Sequence, residues 1–450
     1  MRNKFNVEIE GEVTQFLSDL ISINTTNPPG NETAAAKFVA DTLEHEGFEC
    51  DLFESAPGRG SVVTRLRGTN GKPSLLLLSH LDVVAANPNE WSVDPFGGLV
   101  RDGFVWGRGA LDMKGMTAVE VMALRLLNRN NVKLKGDVVL AATADEERGG
   151  EAGAGWLVRN HPDMVRADYV LNEGGGIAMQ MDGKHVFTIN TAEKGILWLK
   201  VTAAGTPGHG SVPGAADNAI MRMNRVIEKL GTYRPRMKLV PTARQCISEI
   251  SKFKALKDLS ALLQETEKSD SILDTLAQRD KYLAEELRSS IRMTLAPTMI
   301  SGGVKENIIP SECDAVFDCR ILPGQTTARA LRDIKDFLKR EGIDKLSFDV
   351  IQANEPSESP LKTPLYDTIM RVLQDLEPGA SAVPLLLTGG TDSRFFRKWG
   401  SVCYGFHPIL PETSYSRMME TVHGIDERIS TRNLVFGTSV LYKIIEQFMT

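Results

Sequence analysis

Three apolar runs in this sequence end in residues able to hold a cation or move a proton. Leu75–Leu78 is followed by Ser79, His80 and Asp82, Val138–Ala142 by Asp145, Glu146 and Glu147, and Tyr169–Leu171 by Glu173. A further acid, Asp112, stands in GRGALDMKG at the start of a predicted helix. Taken singly, each acid has an ordinary explanation as a loop residue or a cap on helix backbone amides. Crowded at one sheet edge, such carboxylates repel one another strongly, and a bound divalent cation is the simplest remedy. A histidine among carboxylates, without thiolates, suits zinc and also cobalt or manganese; a catalytic zinc site keeps one position open for water.

The chain has seven histidines, and two metals need more than one. His45 and His161 sit in polar helical or loop contexts and His185 in a predicted hairpin, so all three read as surface residues. His423, in ETVHGIDER, precedes a glycine and a candidate helix, which suits a loop at the sheet edge.

The elements that must position these groups alternate helix and strand from Val13 to about Val170. SVVTRLRG, SLLLLSHLD, DVVLAATA and ADYVLN read as strands, with helices through 32–47 and 113–129. This is an α/β pattern with a buried, mostly parallel sheet, in which ligands bind beyond the carboxyl ends of the strands. Near Gly195 the rhythm changes to strand, helix, strand, strand, helix, strand, the order of a ferredoxin-like unit. The expected organisation is a catalytic domain from 1–194 and 353–450, with an inserted α+β lid or dimerisation domain at 195–352. A charged helical stretch at about 250–287 interrupts the insert and is expected to be a solvated helical pair.

Composition narrows the class. At 450 residues the chain exceeds one ordinary core, which favours two domains. The formal net charge is −6, with both signs mixed along the chain, which argues against a nucleic-acid partner. The amphipathic start MRNKFNVEIEGEVTQFLSDL does not read as a signal peptide, and no aliphatic run approaches the roughly 20 residues that span a bilayer. Cys50, Cys246, Cys313, Cys319 and Cys403 are odd in number and scattered, as expected of free thiols in a cytoplasm; any metal is left to nitrogen and oxygen ligands.

HLDVV, WSVDPFGGLVRDGFVWGRGALDMKG, ADEERGG, NEGGG, GTPGHGSVP and VHGIDE, in this order, resemble the M20 metallopeptidase family of aminoacylases, deacetylases, desuccinylases and carboxypeptidases. The resemblance implies two zinc ions per subunit, replaceable by cobalt or manganese. His80 and Glu173 would hold one, Glu147 and His423 the other, and Asp112 would bridge them opposite a water. Asp82, two residues after His80, would hydrogen-bond its imidazole and fix the tautomer. Glu146, outside the ligand set and beside a ligand, would be the general base. His209 would reach across a homodimer to the partner's oxyanion, while Asn307, Arg320 and Arg394 would bind substrate, with Gly389 and Gly390 allowing close backbone approach. The implied activity is amide hydrolysis of N-acyl amino acids, or of short peptides with a free carboxylate. A dipeptidase or carboxypeptidase is the alternative within the family, and a catalytically silent metal-binding module the remote one.

Overall fold

The computed structural model describes residues 4–264 and 268–450; residues 1–3 of the N-terminal segment and 265–267 of the helical stretch lie outside the described residues. Its centre is a ten-stranded sheet. Strands Gly136–Thr143, Gly71–His80, Tyr169–Asn172 and Val402–Gly405 lie side by side and parallel, and antiparallel strands flank them. The four leucines Leu75–Leu78 are each at most 1% exposed, because helices cover both faces of a parallel sheet and leave no wet side for an alternating pattern. Burial of this kind contributes about 1.5–3 kcal/mol per large aliphatic side chain.

Register delivers the chemistry to one edge. His80 pairs with Thr143, so Glu146 follows three residues beyond the same rung. Leu77 pairs with Leu171, which places His80 at the end of its strand and Glu173 just past the end of the neighbouring one. Helix Lys114–Arg129 starts two residues after Asp112, with Met113 at its N-cap, and buries nearly its whole surface. Its Lys114 reaches back to donate to the carbonyls of Leu20 (3.0 Å) and Ile23 (2.7 Å), tying the Asp112 turn to the end of the first helix.

Gly195–Ala204, Thr294–Gly302, Glu312–Ile321 and Leu346–Asn354 form a separate four-stranded antiparallel sheet. Helices Ala219–Thr232 and Thr327–Arg340 pack on it through Met223, Val226, Ile334 and Leu338, which gives the ferredoxin-like order of elements.

The helical stretch departs from the solvated pair expected of it. Ile247, Leu259, Leu262, Leu273 and Leu287 share a core with Val186, Ala192, Val383 and Leu386 of the ten-stranded sheet. Several of its charges pair with one another, Arg288 with Asp270 and Asp274. Lys194, between the two sheets, anchors the end of helix Lys281–Ser290 by donating to the carbonyls of Ser289 (3.0 Å) and Arg292 (2.9 Å). Among the described residues no helix is long and apolar enough to cross a membrane.

Candidate active site

At the carboxyl edge of the ten-stranded sheet, the residues expected to hold metal come together in two overlapping groups. His80, Asp112 and Glu173 form one and Asp112, Glu147 and His423 the other, with the ligand atoms of each within 4.8 Å of one another. Asp112 faces both with different oxygens. Its Oδ1 lies 3.0 Å from His80 Nε2, and its Oδ2 lies 3.0 Å from His423 Nε2. Glu173 approaches His80 Nε2 at 3.7 Å and Glu147 approaches His423 Nε2 at 3.2 Å. Two imidazoles and several carboxylates, with no thiolate, are a donor set fitted to zinc, cobalt or manganese.

Electrostatics bear the same mark. Burial works against a charged His80, yet the negative charge of Glu173 and hydrogen bonds to the surrounding carboxylates raise its pKa well above the usual imidazole value. Hydrogen bonds to Asp112 and Glu147 raise His423 to about 10. Burial, joined by the negative charge of Asp112, pushes Glu173 up to about 7. Both imidazoles thus face carboxylates that favour positive charge between them, the environment expected of a cation-binding cluster.

Asp82 lies against His80 as expected and has a second part besides. The near acceptor for His80 Nδ1 is the Asp82 backbone carbonyl at 2.9 Å, with the carboxylate Oδ1 at 3.5 Å. The carboxylate also accepts the backbone N–H of Glu146 (3.0 Å) and of Glu147 (3.1 Å) and the side-chain amide of Asn27 (2.8 Å). Preceding that turn, Asp145 adopts a left-handed conformation (φ 74°) that a non-glycine residue holds only when its surroundings enforce it. Arg59 pairs with its carboxylate, and the backbone N–H of Ala152 donates to it at 2.8 Å. Glu146 lines the cleft beside these groups, and burial and the negative charge of Glu173 raise its carboxyl well above the ordinary range.

A second support, unforeseen in the sequence, is the buried pair Arg108 and Glu427, 2.6 Å apart. Glu427 accepts the backbone N–H of Leu111 (2.7 Å) and Asp112 (3.1 Å), while Arg108 donates to the carbonyls of His423 (3.2 Å) and Gly424 (2.9 Å). One ion pair therefore fixes the backbone at the shared carboxylate and at the distant histidine. Both residues lie in the quoted motifs GRGALDMKG and VHGIDE, the only sequence signal for them.

The cleft has a volume of about 750 Å³. Arg320 and Arg394 line it, as do Gly389 and Gly390. Arg320 is held by Asp318 (Nε to Oδ1, 2.7 Å), and Arg394 spends donors on the carbonyls of Thr391 (3.1 Å) and Gly149. His407 also lines the cleft; its Nε2 is buried with no hydrogen-bond partner among the described residues, and burial lowers its pKa to about 4. His209 and Asn307 stand elsewhere. His209 is exposed on a short ladder opposite Ile308, and exposed Asn307 accepts the N–H of Gly210 (2.8 Å), so the two are neighbours outside the cleft. His45, His161 and His185 lie outside both ligand groups, with His161 packed on the ring of Phe53 at 4.3 Å.

Fold and site together define a metal-dependent hydrolase built on a parallel sheet. The model of peptidase family M20/M25/M40 matches residues 76–447, and the chain belongs to that family. It is similar to the N-fatty-acyl-amino acid synthase/hydrolase PM20D1 of Mus musculus, at 29% identity across 99% of this chain and 89% of that protein. It is also similar to aminoacylase-1 of Homo sapiens, at 26% identity across 99% of this chain and 97% of that protein. Its fold matches the M20 family metallo-carboxypeptidase Sso-CP2 of Sulfolobus solfataricus with a TM-score of 0.73, covering 97% of this chain and 99% of that one at 18% identity.

Proposed function

We propose that this protein hydrolyses the amide bond of N-acyl amino acids bearing a free carboxylate, with two zinc ions per subunit that cobalt or manganese can replace. The observation that carries the reading is the sharing of Asp112 between two ligand groups, with Glu146 in the same cleft. The names of the similar proteins PM20D1 and aminoacylase-1 support the acyl amino acid as substrate class. Bound divalent ions would supply Lewis-acid activation of water and of the amide carbonyl.

The chain's own residues supply the rest. Glu146 takes a proton from the attacking water onto a carboxylate oxygen and delivers it to the departing amine nitrogen. Its raised proton affinity suits both transfers. Asp82 holds the Glu146 turn, and the Arg108–Glu427 pair holds the turns of Asp112 and His423. Arg320 offers a planar donor for the substrate carboxylate, with Arg394 shaping the wall beside it.

Residues 195–352 are proposed as a lid that also joins two copies in a homodimer. Its edge strand Thr294–Gly302 exposes Met299 (68%) and Ile300 (62%), and helix Ala219–Thr232 exposes Met221 (61%). The adjacent exposed His209 and Asn307 are then available to a partner's cleft, where His209 would stabilise an oxyanion. The five free cysteines suit a cytoplasmic setting.

The test is hydrolysis of N-acetyl, N-succinyl and long-chain N-acyl amino acids alongside dipeptides, by protein stripped with chelator and reloaded with zinc or cobalt. The expected result is metal-dependent release of amino acid, with acyl amino acids preferred. Preference for dipeptides would move the protein to the peptidase reading, and absence of hydrolysis with every metal would sink the proposal.

A further inference from the structure

The helical stretch that packs against the ten-stranded sheet sends two side chains into the cleft, Tyr282 and Glu286, both from helix Lys281–Ser290. They meet Tyr415, from the short helix that precedes His423. The rings of Tyr282 and Tyr415 stand edge to face, 6.2 Å between centroids, and the Tyr415 hydroxyl donates to Glu286 Oε1 at 3.1 Å. No described donor satisfies the other oxygen of Glu286, and no described lysine, arginine or histidine pairs with it. The charge beside it is a second negative one, Asp280. Apolar side chains form much of the remaining wall, among them Leu385, Leu387, Ile409 and Val422.

A carboxylate facing a partly apolar cleft without a counter-charge is unfavourable unless something that enters the cleft compensates it. Burial accordingly pushes Glu286 up to about 7. The pairing of one fixed carboxylate with two aromatic rings is the arrangement that binds an organic cation, through Coulomb attraction on one side and ring quadrupoles on the others. Arg320 lines the same cleft, so it has a cationic pole for the substrate carboxylate and an anionic pole at Glu286.

We propose that Glu286, with Tyr282 and Tyr415, is a specificity site for an ammonium group remote from the scissile amide. The inference rests on the hydrolase reading above. The ammonium has two possible positions, the acyl arm or the side chain of the departing amino acid, and the recognising chemistry is the same for both.

The experiment compares kcat/KM for matched pairs on zinc-loaded protein. One arm sets β-alanyl-leucine against butanoyl-leucine and γ-aminobutyryl-leucine against pentanoyl-leucine; the other sets Nα-acetyl-lysine against N-acetyl-2-aminoheptanoic acid. A charge-assisted hydrogen bond corresponds to a preference of about 10- to 100-fold for the ammonium member of at least one pair, and the arm that shows it locates the group. Glu286→Gln keeps an acceptor for the Tyr415 hydroxyl and removes the charge. It should abolish the preference by slowing the ammonium substrate and speeding the neutral one. Glu286→Lys should turn the preference toward glutaryl-leucine over pentanoyl-leucine. Equal rates within every pair for the unmodified protein, or a preference that survives Glu286→Gln, would overturn the proposal. So would a parallel loss of both rates and of bound zinc in Glu286→Gln, which would make the residue a structural latch. If neither series were cleaved by zinc-loaded protein, the hydrolase reading would fail first, a result distinct from equal cleavage of both.

Discussion

The Asp82 carboxylate accepts the backbone N–H of Glu146 at 3.0 Å, so an acid at the end of one strand holds the turn that carries the candidate base at the end of the next. Its second oxygen accepts the N–H of Glu147 at 3.1 Å, which extends the same restraint to a candidate metal ligand. Asp82 is fully buried, and removing its carboxylate leaves both amides without their partner. Asp82→Ala should therefore lower metal affinity and kcat together, each by about 10- to 100-fold. Zinc titration and steady-state kinetics on the same preparation check this. A variant with lowered kcat and unaltered zinc affinity would show that Asp82 serves the base alone.

Glu146 has a different expected signature. Glu146→Gln preserves size and removes only the capacity to take a proton. It should retain the metal content and thermal midpoint of the unmodified protein while kcat falls by about 10²- to 10⁴-fold. Metal analysis beside single-turnover kinetics makes the comparison. Near-normal turnover would assign the proton transfer elsewhere, with Asp392 the first residue to examine: it is buried, it adds to the charge that raises Glu146, and burial pushes it up to about 7.

The Arg108–Glu427 pair predicts loss of metal without loss of a ligand. Glu427 is fully buried and Arg108 is 2% exposed, so removing one partner leaves a buried charge uncompensated. Glu427→Gln should weaken binding at the Asp112 and His423 sites by about 10- to 100-fold and destabilise the fold by about 3 kcal/mol. Competition with a chromophoric chelator and urea unfolding read the two effects separately. Replacing both residues, Arg108→Met with Glu427→Leu, should recover part of the stability by removing the uncompensated charge but lower metal affinity further, because leucine, unlike glutamine, offers the backbone N–H groups of Leu111 and Asp112 no acceptor.

How much of this was legible before the fold was known follows from how each residue reaches the site. His80, Glu146, Glu147 and Glu173 were readable because parallel strands bring their carboxyl ends to one edge, so short apolar runs announce where the acids will gather. The ferredoxin-like order of elements was readable for a similar reason, since the change of rhythm is local. Arg108 and Glu427 are 319 residues apart, and no local pattern signals such a pair. Tyr282 and Glu286 sit in a stretch whose charges read as a solvated surface; their position in the cleft depends on Ile247, Leu259 and Leu273 docking against Val186 and Val383, a tertiary choice invisible in the helix itself. For Asp82, spacing placed the residue correctly beside His80, but only the geometry of the next strand showed that its carboxylate serves the neighbouring turn.

Glu120 makes a prediction about stability that is independent of catalysis. It lies inside helix Lys114–Arg129, is fully buried, and neither carboxyl oxygen has a hydrogen-bond partner among the described residues. Burial pushes its pKa up to about 8, with Ser79 the neighbouring polar group that opposes the shift. An acid whose folded-state pKa is raised binds its proton more tightly in the folded protein. Its contribution is fully present below the unfolded value near 4.5 and is lost as pH rises toward 8. Glu120→Met has no proton to lose, so its stability should lack this decline. The stability difference in favour of the variant should grow between pH 5 and pH 8 by about 3 kcal/mol, from roughly 1.4 kcal/mol per pKa unit over the shifted range. Urea unfolding of metal-free protein across that range measures it, free of the pH dependence of metal binding. Parallel stability curves for the two proteins would mean that the carboxyl ionises without penalty, which requires water or a counter-charge to reach it inside the helix layer.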